Sequence, residues 1–505
     1  MRHFKTLAFI FITVFFFSCK NKDGDNQIDI TFLQINDVYE IAPLSGGKEG
    51  GMARVETVHK ELLTENPNTF LFMAGDFLNP SLLGTLKYKG EKIKGKQMVE
   101  VMNAMHFDLV TVGNHEFDLK EKEFQQRLNE STFQWTVANA FHKVGDVTGP
   151  FYSEKNGVKS MIPESFVINA KDADGTSIKI GVFSVCLPVN SPDYVAFTDV
   201  FEAAKKVYNK LSKEVDIVVA MTHLAIEDDK KLAELLPNLQ LIMGGHEHYN
   251  MLVPVGKTNI TKADANARTA YIHKLHYNKS TKELRIESEL KAINDGIKSD
   301  SEIDKIVTKW QVILNDKVKD VVSDPTEVVY NAKEALDARE SSIRAKQTNI
   351  GNMIAQAMIQ ATKADAAVFN SGSVRIDDQL HGAITAIDVF RTLPYGGAVF
   401  TIDVKGDFLV KILDFGREHQ GKGAYLQRAN LDWDTVNKQW LIGGEPIKSS
   451  KHYNLAITDF LLTGYDIPFL THDNKNVLKV HEPKPDADAF DIRKALIVSM
   501  KTMKD

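Results

Sequence analysis

The sequence predicts a layered α/β protein built from two domains, and three observations lead there. From residue 28 to about 295, short apolar runs alternate with amphipathic stretches of helical period, as when strands and helices pack in layers. The 505 residues, 43% hydrophobic and 25% charged, suffice for two or three full cores. A highly charged helical stretch at about 296–325 then separates this region from a second one at 326–505. The formal charge of -6 is modest and no strongly basic block occurs, which argues against a nucleic-acid duplex as partner.

Arg2 and Lys5 precede the 11-residue apolar run "LAFIFITVFFF" at 7–17, too short to span a bilayer. Ser18, Cys19 and a polar stretch come next, so residues 1–18 read as an export signal and 19–27 as a tether. A Cys placed straight after the apolar run resembles a bacterial lipoprotein signal. That implies a lipid on Cys19, a membrane as partner through it, and a place in the cell envelope, facing the periplasm or the cell surface. Cys186, in "IKIGVFSVCLP", is the only other cysteine and reads as an inert core residue.

Within 28–295, "IDITFLQIND", "TFLFMAGD" (69–76), "DLVTVGN" (108–114), "DIVVAMTH" (216–223) and "LQLIMGGH" (239–246) are strand candidates. "GKQMVEVMNAMH" and "VFEAAKKVYNKLSKEV" (200–215) have helical spacing. The connecting stretch puts Ile303, Ile306, Val307, Trp310 and Ile313 on one stripe. In the second domain a helix is expected from Gly351 to about Thr362, followed by a strand and a Gly/Ser turn.

The residues just beyond each strand carry the chemistry. Asn36 and Asp37 come after the first, Gly75 and Asp76 after the second, and Gly113, Asn114 and His115 after the third. The fourth ends in Thr222 and His223, and the fifth runs into "GGHEH" (244–248). In layered α/β folds ligands bind beyond the carboxyl ends of strands, and unpaired polar groups there would be costly to bury. A mixed set of Asp, Asn and His suits Zn²⁺, Mn²⁺ or Fe²⁺ better than an all-oxygen Mg²⁺ site. One carboxylate such as Asp76 can bridge two ions.

"GD" (75–76), "GNHEFD" (113–118), "TH" (222–223) and "GGHEH" (244–248) resemble the calcineurin-like metallophosphoesterase superfamily. With the second domain, nearly the whole mature chain resembles the two-domain 5′-nucleotidases and UDP-sugar hydrolases. The resemblance implies a four-layer β-sandwich flanked by helices, followed by an α+β substrate-binding domain. It also implies two divalent metal ions (Zn, Mn, Mg or Fe). Asp37, Asp76 and His248 would hold one; Asp76, Asn114, His223 and His246 would hold the other. His115 and Asp118 would be the catalytic dyad, with a protonated His115 facing charge that builds on the phosphoryl oxygens. Glu116 is expected to point to solvent or to a backbone donor. Tyr39 stands where the family has a His, which leaves the identity of the first metal open.

"NSGSVR" (370–375), "LPYGG" (393–397) and "TGYDIPF" (463–469) resemble the family's nucleotide-binding motifs. The match implies that Arg344 and Arg375 grip phosphate, for which a guanidinium fork is suited. Asn370 would add a hydrogen bond, Tyr395 and Phe469 would stack on the base, and Asp473 would meet the ribose. The family's "GGDGF" is one residue longer here and contains Pro468. The implied activity is hydrolysis of nucleotide phosphomonoesters. The alternatives are action on 2′,3′-cyclic nucleotides or UDP-sugars, or nucleotide binding without turnover.

Overall fold

Alternation decides the first strand. In Gln27–Ile35 the residues Ile28, Ile30 and Phe32 face one side, and Leu33 and Ile35 the other; all five are buried, so this strand is central to a two-faced layer. The computed structural model describes residues 26–189, 191–319 and 321–503. The signal segment and Cys19 lie outside the described residues.

The first strand pairs in parallel with Thr69–Ala74, which pairs in parallel with Leu109–Thr111, and that in turn with Gln134–Thr136. Two long antiparallel strands, Thr269–Asn278 and Glu283–Ala292, complete a six-stranded sheet on the other side. A second six-stranded sheet runs in the order Ser165–Lys171, Ser177–Cys186, Ile217–His223, Leu241–Gly244, Thr258–Lys262, Met251–Val255. The sheets face each other across one apolar layer that includes Ile30, Phe32 and Phe72 from the first and Ile180, Val219 and Met243 from the second. Helices cover both outer faces. Val200–Leu211 and Ile226–Leu235 lie on the second sheet, and Met52–Glu65 and Lys96–Ala104 on the first. The result is the expected four-layer arrangement. Because the inner strands of each sheet are parallel, their carboxyl ends share one edge, where the polar residues gather.

The helix Ser301–Val318 is N-capped by Asp300, whose side chain accepts from the amides of Glu302 and Ile303. Ile303, Val307, Trp310, Leu314 and Val318 form its buried stripe, while Ile306 and Ile313 are only partly covered. Trp310 is fully buried, packs edge-on against Tyr88 at 5.2 Å, and donates its indole N–H to Glu100 at 3.1 Å. The helix is therefore fastened to the first domain.

The second domain is built on a five-stranded sheet ordered Leu426–Ala429, Ala366–Asn370, His452–Thr458, Val399–Lys405, Val477–His481. The pair Val328–Asp337 and Gln379–Thr385 stands beside it. Its first long helix, Asn349–Thr362, starts two residues earlier than expected because Thr348 caps it, accepting from the amide of Gly351 at 3.1 Å. Gly351 is needed for packing: a Cβ there would lie 2.0 Å from Gln427 Oε1. The apolar cluster under the first sheet continues without a break into this domain through Val329, Ile350 and Phe369. Trp310→Ala is expected to cost about 3–5 kcal/mol, read as a lower denaturant midpoint with the slope unchanged.

Candidate active site

Four of the polar residues beyond the strands are held at positive φ: Asp37 at 53°, Asp76 at 56°, His246 at 94° and His248 at 65°. Non-glycine residues rarely adopt this region, and clusters of them mark sites where the surroundings enforce strain. Glycines make room beside them. A Cβ on Gly245 would lie 2.5 Å from the Ala74 carbonyl and 2.9 Å from His223 Nδ1, and one on Gly113 would overlap the Asp76 carboxylate at 2.1 Å. No side chain could occupy either position without moving the cluster.

The side chains converge on one small region. His223 Nε2 is 3.0 Å from Asp76 Oδ2 and 3.8 Å from Asp37 Oδ1. His248 Nε2 lies 3.4 Å from Asp37 Oδ1. The ring of His246 meets that of His223 at 5.5 Å, and its amide donates to Asp37 Oδ2 at 2.9 Å. Each of two imidazoles is oriented by a backbone carbonyl: His223 Nδ1 donates to Ala74 at 2.8 Å and His248 Nδ1 to Asp377 at 2.5 Å. This fixes the tautomer and turns both Nε2 atoms into the cluster. Asp37 Oδ1, Asn114 Oδ1 and His223 Nε2 are buried and have no hydrogen-bond partner. Asp37, Asp76 and His223 alone offer three ligand atoms within 4.8 Å of one another. Buried carboxylate, amide and imidazole groups gathered together, with Asp37 Oδ1 and Asn114 Oδ1 lacking a hydrogen-bond partner, are what a cation satisfies, so the residues fit divalent metal ions.

Charge in the cluster is strongly coupled. Burial works against a charged His223, yet Asp76 and Asp37 outweigh it and raise the imidazole to about 9. Burial and the charge on His223 push His246 down to about 4. His115 is held well above its usual range: burial opposes this, but Asp76, Asp118 and Asp377 prevail. The geometry agrees, because His115 Nδ1 donates to Asp118 Oδ2 at 2.8 Å and its amide donates to Asp76 Oδ1 at 2.8 Å. Asp118 also receives Asn79 at 3.0 Å and Arg375, from the second domain, at 3.2 Å.

Glu116 points at backbone donors. Its carboxylate accepts from the amides of Asp76, Phe77, Leu78 and Gly113 at 2.6–3.0 Å. One side chain thus staples the loop carrying Asp76 to the loop carrying Asn114 and His115. Burial and the neighbouring Asp76 raise it to about 7 against those N–H contacts. A parallel clamp lies under the other two loops. Buried Lys262 donates to the Leu224 carbonyl at 2.6 Å and pairs with Asp229 at 2.7 Å and Glu247 at 2.5 Å. Tyr39 takes part directly, its hydroxyl 3.0 Å from His248 Nε2 and 3.3 Å from Asp76 Oδ2.

The second-domain residues divide. Arg344 lines a cleft of about 610 Å³ together with Asn114, His115, His246, His248 and Asp377. Asn370 and Tyr395 line a separate cavity of about 770 Å³, with Gly396, Phe460, Thr463 and His472. Asn370 also donates to Asp466 at 2.7 Å. Phe469 departs from its expected place. Its ring packs edge-on against Phe408 at 5.8 Å and Phe415 at 5.6 Å, with Lys411 over its face at 4.3 Å. The ring is half-buried against the edge of the domain core. The exposed aromatics on the loops are instead Tyr395, Phe460 and Tyr465, the last two in contact at 5.9 Å. The residue that sequence reasoning missed is Asp377, which carries no motif signal and reaches the site only through the fold.

A strand-end cluster of Asp, Asn and His that could hold a metal, with a His–Asp pair beside it in a four-layer sandwich, defines a metallophosphoesterase, a hydrolase. Residues 30–250 match the family described as calcineurin-like phosphoesterase, and residues 328–472 match the 5′-nucleotidase C-terminal domain. The chain belongs to the two-domain 5′-nucleotidase family. It is similar to 5′-nucleotidase of Homo sapiens, 25% identical over 471 residues covering 83% of this chain and 78% of that one. It is also similar to 5′-nucleotidase of Vibrio cholerae, 25% identical over 506 residues covering 88% and 86%. The crystal structure of a 5′-nucleotidase precursor from Thermus thermophilus shares the fold, with TM-score 0.65, 21% identity, and coverage of 94% and 96%.

Glu116→Ala would leave four buried amides without an acceptor. At about 1–3 kcal/mol for each unsatisfied donor, partly relieved by water, the loss of stability is expected to reach about 3 kcal/mol or more. Chemical denaturation of the purified variant measures it.

Proposed function

We propose that the protein hydrolyses 5′-nucleotides to nucleoside and phosphate in a reaction that requires two divalent cations. The observation that supports this most is the meeting of both domains at one dyad, where His115 and Arg375 both reach Asp118 Oδ2. Asp37, Asp76 and His248 would hold one cation; Asp76, Asn114, His223 and His246 would hold the other. Bound there, divalent cations polarise phosphoryl oxygens and lower the pKa of water.

The chain's own residues do the rest. His115, kept protonated and oriented by Asp118, donates a hydrogen bond to the charge that develops on phosphorus-bound oxygen. Arg344 and Arg375 orient the phosphate, and Arg375 also helps hold Asp118. Tyr395, exposed at the mouth of the second-domain cavity, offers a stacking face to the base, and Asn370 sits in the same cavity. The segment at 7–17 supports export to the cell envelope, with a lipid on Cys19 as the anchor.

Phosphate release from AMP is expected to vanish on chelation and to return with Mn²⁺ or Zn²⁺. His115→Ala should lower kcat by about 10²–10⁴-fold while metal content stays at the wild-type level; turnover unchanged in that variant would reject the role. Tyr395→Ala should raise KM for AMP by about 5–100-fold, the equivalent of ~1–3 kcal/mol of stacking, and leave hydrolysis of p-nitrophenyl phosphate unaltered.

A further inference from the structure

Asp377 belongs to the second domain, yet it meets the cluster on the first. Its Oδ2 lies 3.6 Å from His248 Nε2 and 3.7 Å from His115 Nε2. Its other oxygen, Oδ1, accepts from the amide of Glu340 at 2.6 Å, so one side of the carboxylate is anchored and the other faces the imidazoles. The residue is held at a φ of 46°, a strained conformation for an aspartate.

The segment that carries it is tied to the first-domain loop at the same place. Asp378 pairs with Arg268 at 2.8 Å and accepts from Asn266 at 3.1 Å. Asn266 Oδ1 in turn accepts from the amides of Tyr39 and Glu40 at 3.0 and 3.1 Å. Arg391 pairs with Glu40 at 3.1 Å. Asp377 is therefore aimed by a network that crosses the domain boundary.

His248 Nδ1 donates to the carbonyl of Asp377 itself, so in the neutral imidazole Nε2 is an acceptor. It then has one donor, the Tyr39 hydroxyl at 3.0 Å, and two further acceptors close by, Asp37 Oδ1 at 3.4 Å and Asp377 Oδ2 at 3.6 Å. Asp37 Oδ1 is buried and without a hydrogen-bond partner. Acceptors gathered in this way are relieved by a proton on the imidazole or by a metal cation among them. Ligands each ~2.1 Å from a common ion sit about 3–3.5 Å apart. The two separations from His248 Nε2 are close to that.

We propose that Asp377 is a ligand to the cation held by Asp37 and His248, so that this metal site is completed only when the second domain is in place. The inference rests on the two-cation reading of the proposed function. It makes metal affinity and domain position a linked pair: whatever holds the domains together strengthens this site, and the cation in turn holds the domains.

The test is a calorimetric titration of metal-free full-length protein with Mn²⁺. Wild type should show two sites. Asp377→Asn keeps the shape, the carbonyl to His248 and the contact with Glu340; it should weaken one site by tenfold or more and leave the other within threefold. Tyr39 Oη lies within 3.0–3.3 Å of His248 and Asp76, so Tyr39→His would place a nitrogen ligand in the same cluster. The double variant Tyr39→His/Asp377→Asn should recover the weakened site to within about threefold of wild type. Two wild-type sites that Asp377→Asn binds equally well would overturn the inference and leave the two-cation reading standing. A loss that Tyr39→His fails to repair would also overturn it, since the carboxylate would then act through packing. Wild type that binds no Mn²⁺ would remove the two-cation reading itself.

Discussion

The whole site depends on the burial of two carboxylates at strand ends. Asp37 and Asp76 are fully buried, and burying a charge without a partner costs several kcal/mol. Imidazoles of His223, His248 and His115 compensate part of that charge. The compensation is incomplete, because Asp37 Oδ1, Asn114 Oδ1 and His223 Nε2 remain without hydrogen bonds. The fold accepts this cost, and backbone strain at Asp37, Asp76, His246 and His248, at a single edge of a sandwich whose interior is otherwise apolar. Such a concentration of unmet polar groups is what a cation would satisfy.

Two charged clamps hold the loops in that geometry. Glu116 gathers four amides from two loops, and Lys262 ties together the loops that carry His223 and His246. Neither group faces the cluster as a ligand. Their burial is tolerated because each is fully engaged, and they fix the ligand-bearing backbone within the narrow tolerance that a functional site requires. The second domain adds Arg375 and Asp377 to the same edge, and the long helix Ser301–Val318 stays with the first domain through Trp310.

The sequence made most of the first-domain site legible. Strand period places Asp37, Asp76, Asn114, His223, His246 and His248 at equivalent ends, and parallel pairing brings those ends to one edge. Contacts that depend on tertiary geometry were not legible. Nothing in "NSGSVRIDD" marks Asp377, since its role depends on how one domain docks on the other. For Glu116 the sequence left solvent or a backbone donor open, and only the fold shows that four amides from two loops surround the carboxylate. Phe469 sits in a motif-like stretch, yet its ring packs half-buried against Phe408 and Phe415. Tyr39 reads as a lost ligand, whereas the structure makes it a hydroxyl bridge between His248 and Asp76.

The proposed function puts paired cations at the strand-end edge. Anomalous diffraction from crystals grown with Mn²⁺ and with Zn²⁺ tests it most directly. The account predicts two anomalous peaks about 3.5–4 Å apart, one on either side of Asp76. A single peak away from Asp76, or none there at full metal loading, would contradict it.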